Sequence, residues 1–126
     1  VIDAAGLVVA PGFVDVHAHL RDPGFPEKET LETGSVAAAA GGFTTICCMP
    51  NTMPPLDTPE RIRELVERAR SLPVRIFPIG TISRGRRGEE LADLVGMAEA
   101  GAIGFSDDGD STRSARVMRQ ALQLSR

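Results

Sequence analysis

"GFVDVHAHLRDPG", residues 12–24, ends an apolar run with His17 and His19 two positions apart and sets Arg21 two positions further on. Residues i and i+2 of a strand project to one face, so both imidazoles can reach one ion, at about 2.0–2.1 Å if that ion is zinc. The same pair also suits two hydrogen-bonded residues that simply finish a strand. These are the only 2 histidines in the chain. The surrounding sequence has to choose between the readings.

The run at 13–19 is the first of four. "FTTICCM" (43–49), "VRIFPIG" (74–80) and "AIGF" (102–105) follow it, with starts at Phe13, Phe43, Val74 and Ala102 about 30 residues apart, the length of a strand-helix unit. Helical patterns fill the intervals. An alanine-rich stretch around 29–40 stops at Gly41 and Gly42. Thr58 and Pro59 read as an N-cap with proline in the first turn, ahead of Ile62, Leu65, Val66 and Ala69 on one face. Leu91, Leu94, Val95 and Ala98 repeat that spacing, and Val117, Met118, Ala121 and Leu122 form a last stripe.

Strands alternating with helices imply parallel neighbours joined by right-handed crossovers. An open nucleotide-binding sheet carries a glycine-rich turn after its first strand, where this chain has "HAHLRDPG". A closed barrel needs about 250 residues for eight units, so four units make half of one. The expected fold is α/β: the first four βα units of a (β/α)8 TIM-type barrel over residues 13–126.

Barrel chemistry gathers at the carboxyl ends of the strands. The first strand ends in His17 and His19, followed by Arg21; the second runs into "PNT" with Asn51; the fourth runs into "SDDG" with Asp107 and Asp108. A carboxylate can complete a metal site or bridge two ions, although an Asx-rich, glycine-ended loop is also an ordinary turn. Arg21 offers a planar fork for a carboxylate, and Asn51 offers a donor and an acceptor, against the plainer readings of a surface arginine and a turn asparagine. Asp15 reads as a buried structural carboxylate rather than a ligand. Gly80 and Thr81, at the third strand end, carry no signal.

Composition narrows the function classes. With 42% hydrophobic and 25% charged residues, the chain reads as part of a soluble globular protein. A net charge of -3 argues against a nucleic-acid partner, and no apolar stretch approaches the ~20 residues of a membrane span. The basic cluster "SRGRRG" (83–88) reads as a solvated loop. Cys47 and Cys48 are adjacent, so they read as small buried apolar residues rather than a disulfide, which fits a cytoplasmic location.

Taken together, "PGFVDVHAHLRDPG", "KETLETGSVAAAAGGFTTICCMPNTMP" and "GAIGFSDDG" resemble the amidohydrolase superfamily, and within it the bacterial dihydroorotases that use an aspartate as bridging ligand. The resemblance implies one or two zinc ions per complete active site, with His17 and His19 on one ion and Asp108 between two. It implies that Arg21 and Asn51 hold dihydroorotate, and that the reaction is the reversible interconversion of N-carbamoyl-L-aspartate and L-dihydroorotate in pyrimidine synthesis. The resemblance also makes residues 1–12 the end of a small β-rich subdomain that precedes the barrel. Further ligands and the general base then belong to the carboxyl-terminal half of the barrel, so the fragment alone is expected to be inactive. A homo-oligomer and association with aspartate carbamoyltransferase are further expectations. Two alternatives stand beside this: a non-catalytic subunit supporting that transferase, and a hydantoinase- or allantoinase-like enzyme. The latter type bridges its ions with a carboxylated lysine, whereas the only lysine here is Lys28, far from the fourth strand.

Overall fold

A computed structural model describes residues 1–125. Four parallel strands, β1 (Phe13–Ala18), β2 (Phe43–Cys48), β3 (Arg75–Gly80) and β4 (Gly104–Phe105), pair in chain order. Helices α1 (Leu31–Ala40), α2 (Pro59–Ala69), α3 (Leu94–Glu99) and α4 (Ala115–Leu124) follow the strands in turn. The result is a curled half-barrel. β4 is shorter than the apolar run "AIGF", but its flanks continue the ladder through Ile103 N–H to the Pro78 carbonyl and Ser106 N–H to the Gly80 carbonyl.

The helices begin where capping chemistry tells them to. Thr30 and Thr33 form a reciprocal capping box at α1, and the Thr58 side chain accepts from Arg61 N–H ahead of Pro59 at α2. Gly41 caps the end of α1, and Gly42 takes φ 82°, a left-handed conformation that turns the chain into β2. The core lies between strands and helices. Leu31, Ile46, Cys48, Leu56, Ile62, Leu65, Ile76, Leu94 and Met97 are all buried there, and the complete burial of Ile62 confirms the face read on α2. Both cysteines are buried and free, as expected.

Two helical stripes need correction. Asp93 caps α3 by accepting from Gly96 N–H, so the helix starts at Leu94, and Leu91 instead lies in an antiparallel bridge with Ser83. The buried face of α3 is Leu94 and Met97, while Val95 and Ala98 are exposed. On α4, Val117 and Ala121 are buried but Leu122 is exposed. Residues 1–12 contain a turn at Ala5–Gly6 and no strand. No helix among the described residues is long and apolar enough to cross a membrane.

Candidate metal centre

β1 delivers the two histidines to the carboxyl end of the sheet. Its pairing with β2 shifts register between Asp15 and Ala18, an irregularity that encloses His17, and such shifts re-aim side chains beside functional sites. Asp15 accepts from His17 N–H at 2.9 Å, a structural role as the sequence suggested, but it is half-buried rather than buried because β1 is an open edge of the sheet. Leu20 then packs beneath α1 at Gly34, where a Cβ would collide with the leucine side chain.

Asp108 arrives from the loop after β4. Its Oδ1 lies 3.3 Å from His17 Nε2, and its Oδ2 lies 3.6 Å from His19 Nε2. One ligand atom from each of the three residues lies within 4.8 Å of the others. A tetrahedral ion with bonds of about 2.1 Å has edges of about 3.4 Å between ligand atoms, and each histidine lies about that far from one of the two carboxylate oxygens. Two imidazoles and a carboxylate form a donor set suited to zinc and its neighbours in the first transition row. The residues present fit a metal ion.

Asn51, from the loop after β2, joins two of the three. Its Oδ1 lies 3.0 Å from His19 Nδ1, and its Nδ2 donates to Asp108 Oδ2 at 2.6 Å. With Nδ1 carrying the proton toward Asn51, the His19 Nε2 lone pair is left for a cation. Both ends of the amide are therefore used within the cluster. Arg21 is a different case: among the described residues it has no ion-pair partner, and its backbone holds φ 56°, a costly conformation outside glycine that collects at functional sites.

The two aspartates of "SDDG" divide their roles. Asp107 is buried, accepting from Ile82 N–H and Ser83 N–H at 3.0 Å each and from the Ser83 hydroxyl at 2.6 Å. It fixes the loop and is not one of the three residues that converge. The sequence missed Arg86, which belongs to the basic cluster read as solvated. Its guanidinium binds the Asp107 carbonyl at 3.0 Å, the Asp108 carbonyl and the Asp110 carboxylate at 2.9 Å. Arg84 and Arg87 are exposed, as that reading expected. The thiols stay outside the cluster: burial pushes Cys48 up to about 12, and burial with the nearby Asp15 charge raises Cys47, so neither favours the thiolate a metal takes.

Comparison with known proteins gives the family. A family model described as dihydro-orotase-like matches residues 6–125. The chain is 56% identical over 127 residues to the dihydroorotase of Solibacter usitatus, a match covering 100% of this chain and 30% of that protein. It is 50% identical over 125 residues to the dihydroorotase of Aquifex aeolicus, covering 98% of this chain and 30% of the relative. Among solved structures, the L-hydantoinase (dihydropyrimidinase) from Arthrobacter aurescens superimposes with a TM-score of 0.69 at 35% identity, over 82% of this chain and 23% of that one. The chain thus spans about 30% of the length of these curated relatives.

Proposed function

Since the chain belongs to the dihydro-orotase-like family, we propose that it supplies the first four units of a zinc-dependent dihydroorotase barrel and half of its active site. The complete enzyme interconverts L-dihydroorotate and N-carbamoyl-L-aspartate in pyrimidine biosynthesis. One observation carries the reading: His17 and His19 at the end of β1 meet Asp108 from the loop after β4.

His17 and His19 would hold one zinc ion, and Asp108, which lies against both, would be the ligand shared with a second. Zinc in such a site supplies activation of water near neutral pH and polarisation of the carbonyl under attack. The Arg21 fork takes the substrate carboxylate. Asn51 joins it by exchanging its Asp108 bond for one to the substrate, so its substitution disturbs both the centre and substrate binding.

The proposed division of the chain is residues 1–12 as the tail of a small β-rich subdomain and residues 13–126 as the amino-terminal half of the barrel. The open edges of β1 and β4, and the exposed Val14, Val16 and Ile103, favour further strands and helices closing the barrel. The general base belongs to that remainder, so residues 1–126 alone are inactive in this reading. A cytoplasmic homo-oligomer, with aspartate carbamoyltransferase as a possible associate, completes it. The test is turnover of L-dihydroorotate, hydantoin and allantoin by the complete enzyme. Selective turnover of dihydroorotate is expected. Preference for hydantoin or allantoin moves the assignment to those enzymes, and no turnover with any of them favours the non-catalytic subunit.

A further inference from the structure

We propose that Arg86, acting with Ser83 and Asp107, is a positioning device that sets the Asp108 carboxylate at the metal centre, an inference that rests on the metal-centre reading above. A carboxylate shared between ions has to be held to within about 0.5 Å by groups that are themselves locked. Asp108 gets little help from its own strand, because β4 spans only Gly104–Phe105 and the chain has left the sheet before residue 108. The β3–α3 connection holds it instead.

That connection grips the loop at successive points. The Asp107 side chain points back into the protein and accepts two backbone N–H groups and the Ser83 hydroxyl, while Ser83 Oγ itself accepts from Gly88 N–H at 2.8 Å. From the outside, one guanidinium bonds the carbonyls of both Asp107 and Asp108. Asp108 N–H donates to Ser106 Oγ at 3.0 Å. The backbone of Asp108 is thereby fixed on both sides, while Asn51 Nδ2 donates to its Oδ2 at 2.6 Å.

Arg86 also meets the electrostatics of the loop. Asp107, Asp108 and Asp110 lie within four positions, and Arg86 forms an ion pair with the last of them. Its backbone adopts φ 58°, with its N–H bonded to the Ser83 carbonyl at 3.0 Å. A strained backbone persists where the surroundings over-determine it. Lysine keeps the charge but lacks the fork that spans two carbonyls.

The test uses cobalt(II) as a spectroscopic probe in the metal-depleted complete enzyme, comparing wild type with Arg86→Met, Arg86→Lys and the exposed neighbour Arg87→Met. Losing a group that orients a ligand costs about 10–100-fold in metal affinity. Arg86→Met is expected to weaken cobalt by that factor, to alter the visible ligand-field spectrum and to lower kcat at saturating metal with KM unchanged. Arg86→Lys is expected to fall between, and Arg87→Met to match wild type. Should Arg86→Met fail to fold, Arg86→Lys carries the test. Wild-type cobalt affinity and spectrum in a folded Arg86 variant, even with a lowered melting temperature, overturn the inference. A wild-type protein that takes up no cobalt overturns the metal centre itself, and the positioning role with it.

Discussion

Replacing Arg68 with leucine removes both strong bonds that Asp22 makes. The α2 guanidinium reaches across to the loop after β1 and donates to Asp22 Oδ1 at 2.8 Å and Oδ2 at 2.6 Å. The Asp22 side chain is only 13% exposed against 39% for Arg68, and its one other bond, from Leu31 N–H, is 3.3 Å long. An exposed ion pair contributes about 0–1 kcal/mol, while stranding one partner of a buried pair costs about 3–5 kcal/mol. With the carboxylate covered and the guanidinium partly in water, about 2 kcal/mol at pH 7 is the value between these limits.

The pH dependence separates charge from packing. The Arg68 guanidinium holds the Asp22 carboxyl below the ordinary aspartate range, against an opposing push from burial. A group whose folded pKa is depressed contributes stability that is present above its unfolded value, about 3.9, and is lost as pH falls through the folded one. The gap between wild type and Arg68→Leu, measured by urea unfolding of the complete protein, should therefore stand near its full size at pH 7 and shrink progressively below pH 4. Because Asp22 adjoins Arg21, KM for dihydroorotate should rise as well. A stability gap that is the same at pH 3 as at pH 7 refutes the electrostatic argument and leaves only lost packing of the arginine stem.

Four other outcomes follow from named positions. Arg21→Gly should relieve the left-handed backbone and stabilise the protein by about 1 kcal/mol in thermal melts, while raising KM for dihydroorotate about 10–100-fold through loss of a charge-assisted fork. Thr81→Val should be neutral or stabilising by up to about 1 kcal/mol in urea unfolding, because Thr81 Oγ1 is buried without a hydrogen-bond partner among the described residues. Ile62→Ala should cost about 2–5 kcal/mol in the same assay, the side chain being wholly buried on the inner face of α2. Cys48, raised by burial to about 12, should resist a thiol reagent at pH 8 until the protein is denatured. Its ionisation in the unfolded chain from about pH 8.5 upward should lower stability as the pH climbs toward 12.

The parts of this fold written in local chemistry were the parts legible beforehand. Thr58 and Pro59 announce α2 because a cap and a first-turn proline act within a few residues. His17 and His19 announce a shared face because strand alternation is local, and Asp108 joins them because barrel strand ends meet on one rim. The misses have the opposite character. Leu91 fits a helical period, but its backbone pairs with Ser83 and Asp93 supplies the cap, so long-range pairing outweighed periodicity. Arg86 sits in an exposed-looking basic cluster, and only the fold brings it against carbonyls 21 and 22 residues away. The separate roles of Asp107 and Asp108 likewise depend on which one meets Ser83, which adjacent residues of the same type do not reveal.

The central claim is that His17, His19 and Asp108 are metal ligands, and its most direct test is the metal content of the complete enzyme purified without chelators. Wild type should carry one or two zinc ions per active site by inductively coupled plasma mass spectrometry, and the double variant His17→Ala/His19→Ala should carry measurably less at an unchanged far-UV spectrum. A wild type without stoichiometric metal, or a double variant that retains all of it, contradicts the account.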